Sequence, residues 1–298
     1  MAVGLVFSGN RYPRQGRSKR GPSSRIRLLS NIGLYPRGNI RGARGTYYID
    51  EQVAFIAVKT DEDRSHAYWS EVTLLAFEEI RFLSAVLLSM RPDFGVLHFY
   101  PGGAHITGAT SDHHVLYKRA KRLALQDADR GSSNTIPLGS GAPYRVSEQE
   151  IDENIYKLLA SKISIRDHLM LRGLSAILKA DMLQVHPEFG EEATSLLYVA
   201  LEVAFQLTLR QLRSNGAVNP SALDAGQFLF SNFPNEVPGQ RFFEEYYEDR
   251  IKTLHPLSRY GAFAFPPLNA GDFYGLRGGL IAVFQFLITG QRWYTLWD

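Results

Sequence analysis

The spacing of hydrophobic and polar positions changes rhythm near the middle of the chain. The first half alternates in short runs. TYYIDEQVAFIAVKT, residues 46–60, holds two β-branched and aromatic runs around Asp50–Gln52, which predicts strand, turn, strand. Short apolar runs at 3–7 and 95–100 are of strand type. Leu74, Phe77, Ile80, Phe82 and Leu83 recur at helical spacing and Pro92 follows, which predicts a long helix over 65–90. A charged helix is predicted over 112–129. Several glycines and Pro36 make 25–45 a series of turns rather than a helix.

The second half reads as helix throughout. Ser147 with Glu150 forms a capping-box pair that predicts a helix start near 148. Helical patterns follow at 148–160, 164–184, 190–214, 221–230, 238–254 and 272–289. Asp272 is the expected N-cap of the last, and Gly290 its stop. Gly278 and Gly279 lie inside that helix, where close packing against another helix would account for them. GSSNTIPLGSGAPYR, at about 131–145, is the best candidate linker. The expectation is an α+β protein: a small N-terminal module with a short sheet and one long helix over 1–145, then an all-helical bundle over 146–298.

Composition narrows the chemistry. The 298 residues are 45% apolar and contain no cysteine, which excludes disulfides, thiolate metal sites and thiol nucleophiles. The run GLIAVFQFLI, 279–288, is half the length a membrane span needs and reads as core. MAVGLVF leads directly into SGNRYPRQ with no signal-peptide pattern, so a cytoplasmic location without membrane contact is expected. No cofactor is expected either. Gly38, Gly42 and Gly45 match neither dinucleotide nor P-loop spacing, and no HExxH is present. His113 and His114 follow Asp112, but adjacent helix positions suit one metal poorly. Glu78–Glu79 and Glu191–Glu192 read as helix surface.

Charge is unevenly placed. The formal net charge is +3, yet residues 1–45 carry ten Arg or Lys and no acid, leaving 23 basic against 30 acidic residues beyond them. Arg11, Arg14, Arg17, Lys19, Arg20 and Arg25 sit in a Gly-, Pro- and Ser-rich stretch expected to be a loop unless a ligand orders it. They are candidate contacts to nucleic acid; a solvated basic arm is the other reading.

The best-defined chemical motif is RIKTLH, Arg250 to His255, after the acid-rich run RFFEEYYEDR. Arginine stays charged and can hold a phosphate, whereas histidine moves protons near neutral pH. Pro256 disfavours helix at His255, so the imidazole can turn out of the helical run. Tyr246 lies four residues before Arg250, and Arg259 can add a second positive charge. A salt bridge for Arg250 and a helix-end role for His255 are the structural alternatives.

An arginine followed by four to six residues and a histidine resembles the HEPN superfamily of helical-bundle proteins. The segments YYEDRIKTLHPLSRYG and DFYGLRGGLIAVFQFLITG are similar to the last two helices of such a bundle, so the resemblance covers about 148–298. It implies metal-independent RNA cleavage in a homodimer. His255 would serve the ribose 2′-hydroxyl or the leaving oxygen, and Arg250 the developing charge. The products would carry 2′,3′-cyclic phosphate and 5′-hydroxyl ends. A toxin or anti-phage defence setting would follow, with a protein or nucleic-acid activator at the N-terminal module. Ile251 departs from the family's frequent polar residue after the arginine. The alternative is a non-catalytic recognition or assembly protein on the same bundle.

Overall fold

A computed structural model describes residues 23–29, 34–42, 44–49, 53–60, 77–90, 104–107, 110, 112–129, 145–184, 187–233, 242–244 and 270–293. A mixed sheet-and-helix module comes first and a multi-helix bundle follows, as the pattern predicts.

Five strands form one antiparallel sheet. They are β1 (Ser23–Leu28), β3 (Asn39–Arg41), β4 (Gly45–Ile49), β5 (Ala54–Thr60) and β6 (Ala104–Thr107), in the order β3-β4-β5-β1-β6. β4 and β5 are the predicted strand pair. β2 (Leu34–Arg37) pairs in parallel with β7 (Arg145–Glu150). The turns expected over 25–45 therefore include three strands, and β1 begins inside the stretch expected to be a loop.

Alternation along the strands gives the sheet two buried faces. Ile26, Leu28, Phe55 and Ala57 face α2 (His113–Asp129), packing with Leu116 and Ala120. Tyr47, Ile56 and Val58 join a second core that holds Phe82 and Leu83 of α1 (Phe77–Leu88). Arg25 and Arg27 alternate with Ile26 and Leu28, so they project towards α1. There Glu79 receives them: Arg25 Nη1 donates to Oε2 at 3.0 Å, and Arg27 donates through Nε and Nη2. Burying a charge is costly unless it is paired, and one carboxylate here serves two guanidiniums. Glu79 is thus interior, which corrects its reading as helix surface. Glu78 does face outward, where Arg44 Nη1 lies 3.1 Å from it.

The bundle comprises α3 (Glu153–Lys162), α4 (His168–Gln184), α5 (Gly190–Ser214), α6 (Ala222–Asn232) and α7 (Ala270–Thr289). α5 packs along α4 and also meets α6 and α7, while α1 touches α3, α4 and α7. The core containing Tyr47 and Phe82 continues without a break to Leu174, Leu201, Leu229 and Phe284. By length and composition α5 could cross a membrane, but 61% of its apolar window is buried within the fold.

Local chemistry explains several helix ends. The helix expected near 148 begins at Glu153, because 145–150 are extended in β7. Asp152 is its cap, accepting from the Asn154 and Ile155 amides at 2.8 and 3.0 Å. Strand pairing wins over the Ser147–Glu150 signal. α6 has the full reciprocal box, Ser221 with Asp224. α7 starts at Ala270, so Asp272 falls within its first turn rather than at the cap. Arg81 donates to the Ala160 carbonyl in the last turn of α3, and Gln285 to the Leu88 carbonyl at the end of α1. Both satisfy acceptors that a helix C-terminus leaves open. Gly279 meets the expected close packing, since a Cβ there would lie 3.2 Å from Phe242.

Candidate functional site

Arg250, His255, Tyr246 and Arg259 lie outside the described residues, as do Arg11, Arg14, Arg17, Lys19 and Arg20. The surroundings of the motif are visible on both sides. Before it, Phe242 and Phe243 are buried, with Phe243 edge-on to Phe205 of α5 at 5.1 Å. After it, α7 is buried over Leu276 and Leu280–Gln285. Arg25 is placed, and it is an interior residue with 2% of its surface exposed. In that position its charge meets Glu79 rather than a polyanion, which removes it from the candidate nucleic-acid contacts.

A different group of residues converges on the sheet. β-pairing sets Arg41 opposite Thr46 and Tyr48 opposite Phe55, all four on the face turned to α2. Asp112 caps α2 by accepting from the His114 amide at 2.8 Å, which brings His113 and His114 over that face. Tyr117 is one turn further along the side that carries His113. Arg41, Thr46, Tyr48, Phe55, His113, His114 and Tyr117 line a cavity of about 230 Å³.

The cavity has an aromatic floor and a cationic rim. Tyr48 stacks on Phe55, with centroids 5.6 Å apart and planes 29° apart, and Tyr117 meets Tyr48 edge-on at 5.5 Å. Arg41 is exposed. Its Nε donates to Asn39 Oδ1 at 2.8 Å, and its terminal nitrogens have no protein partner among the described residues. His113 Nδ1 lies 2.9 Å from Thr46 Oγ1, which fixes the ring and leaves Nε2 for a ligand. Burial first, and then Arg41, holds the His113 pKa below the ordinary imidazole value; Asp112 opposes them and Lys59 adds to them. His113 is therefore neutral at pH 7 and becomes a better hydrogen-bonding partner for an anion when it gains a proton.

No group of three or more His, Asp or Glu side chains suited to a metal ion occurs among the described residues. His113 and His114 diverge in role, the first half-buried against Thr46 and the second exposed. The signal the sequence offered for this site was partial, Thr46 and Tyr48 two apart in one strand. It was unreadable without the strand register that aligns them with Arg41 and Phe55.

No family model, curated protein or solved structure matches the chain.

Proposed function

We propose that the protein is a metal-independent endoribonuclease of HEPN-like type, acting as a homodimer through Arg250 and His255. The observation that carries this reading is RIKTLH itself, an arginine and a proton carrier five residues apart. Its setting supports it. Phe242 and Phe243 before the motif and α7 after it both belong to the bundle core.

The proposed reaction is a transesterification. His255 takes the proton of the ribose 2′-hydroxyl, and the oxygen attacks the adjacent phosphorus. The bond from phosphorus to the 5′-oxygen breaks, and that oxygen gains a proton from the protonated His255 imidazole. The ends are a 2′,3′-cyclic phosphate and a 5′-hydroxyl. Arg250 offsets the negative charge that grows on the non-bridging oxygens.

The test is incubation of RNA in EDTA with wild type, Arg250→Ala and His255→Ala, with the product ends identified. Loss of His255 should slow cleavage by about 10²–10⁴-fold. Equal cleavage by all three proteins would remove the pair from the mechanism.

A non-catalytic recognition protein is the second reading. The cavity around Arg41 and Tyr117 favours it, because a ligand held there requires no bond cleavage.

A further inference from the structure

We propose that the cavity between the sheet and the start of α2 binds a nucleoside monophosphate, with its base over the Tyr48–Tyr117 aromatic floor and its phosphate at Arg41 and His114. This proposal is independent of the cleavage motif and stands without it.

Size, shape and charge each narrow the ligand. A volume of about 230 Å³ is below the ~300–1,000 Å³ typical of sites that enclose a whole drug-sized ligand. It admits one ring system with its polar substituents at the mouth, and is too small for a dinucleotide. The walls favour a flat ring. Tyr48 is the partly exposed ring of the floor, backed by the buried Phe55, and Tyr117 closes one side nearly perpendicular to Tyr48. Bases of every kind stack on such side chains.

The rim favours an anion attached to that ring. Arg41 offers a planar fork whose Nη1 and Nη2 have no described protein acceptor, the geometry suited to phosphate oxygens. His114 is exposed beside it, and its amide is already taken by Asp112, so only its ring is available to a ligand. Lys59 lies close enough to influence His113 electrostatically and adds positive potential. Among the described residues the nearby carboxylate is Asp112, which accepts from the amides of His114 and Val115, so its charge is partly balanced by the helix end. An apolar ligand would leave the rim unused. Inorganic phosphate would leave the floor unused.

A free nucleotide and the phosphorylated end of an RNA strand present the same base and phosphate. Isothermal titration of the full chain should therefore compare 5′-AMP, adenosine, ribose 5-phosphate and a short RNA with and without a 5′-phosphate. Removing either the base or the phosphate should weaken binding about tenfold or more, the size of one charge-assisted or stacking contact. Preference for the phosphorylated RNA over AMP would assign the strand end; the reverse would assign the free nucleotide. Arg41→Met should weaken AMP about tenfold and leave adenosine unchanged, and His114→Ala should act in the same direction. Both side chains are exposed, and a matching circular-dichroism melt establishes that the variants are folded. Binding of AMP no tighter than ribose 5-phosphate, AMP affinity indifferent to Arg41, or no binding at all would each overturn the assignment.

Discussion

Asp181 on α4 and Arg277 on α7 meet through two parallel hydrogen bonds, Nε to Oδ1 at 2.6 Å and Nη2 to Oδ2 at 2.8 Å, across 96 residues of sequence. Neither side chain has more than 1% of its surface exposed. The pair joins α7 to α4 by a planar two-point contact inside the core.

Breaking this pair should be far more harmful than replacing it. Asp181→Asn leaves a buried guanidinium without its counter-charge and should cost about 3–5 kcal/mol. Asp181→Leu combined with Arg277→Met removes both charges and should retain most of the stability. Urea unfolding of the three proteins checks this. A double variant as unstable as the single one would mean that the pair is not the source of the loss.

Glu79 poses a sharper version of the same problem, since it faces Arg25 and Arg27 together. Glu79→Gln should destabilise by at least as much as Asp181→Asn, because two buried cations then lose one carboxylate. Arg25→Met should partly restore stability in that background. Independent, additive effects in a double-mutant cycle would show that Arg25 and Glu79 are not coupled.

Gly173 tests the packing of the bundle. A Cβ at this position of α4 would lie 2.5 Å from Cζ of Phe284 on α7 and 2.7 Å from Cγ1 of Val203 on α5. Alanine has better helix propensity than glycine by ~1 kcal/mol. Overpacking costs ~1–3 kcal/mol and should win here. Gly173→Ala should lower the thermal midpoint, and adding Val203→Ala should recover part of it. A midpoint raised by Gly173→Ala alone would show that Phe284 moves aside freely.

These contacts also explain what could be read in the sequence. Long apolar periodicity identified α5 and α7, and the β-branched runs identified β4 and β5, because each pattern is local. β1 was missed because its alternation is inverted in chemistry: Arg25 and Arg27 occupy core positions that normally hold apolar residues. Glu79, more than fifty residues away, receives both charges. The same separation made Glu79 look like a surface residue. β7 overrode a capping-box signal since its partner, β2, lies over a hundred residues earlier. The cavity was hidden for a related reason. Its seven residues come from four elements, and strand pairing rather than spacing unites them.

Tyr156 on α3 makes a prediction that pH can test. Its ring is edge-on to Phe82, with centroids 5.9 Å apart, and burial raises its pKa to about 12 against the opposing fields of Arg81 and Arg44. A folded-state value above the unfolded 10 means that the folded protein holds this proton more tightly. The associated stability is complete below pH 10 and is lost as pH rises towards 12. Two units correspond to on the order of 3 kcal/mol. Tyr156→Phe keeps the ring and removes the titrating group, so it should lose less stability over this window than wild type. Urea midpoints at pH 9, 11 and 12 supply the comparison, and the other tyrosines and lysines cancel between the two proteins. Parallel loss in both would place the Tyr156 hydroxyl in contact with water.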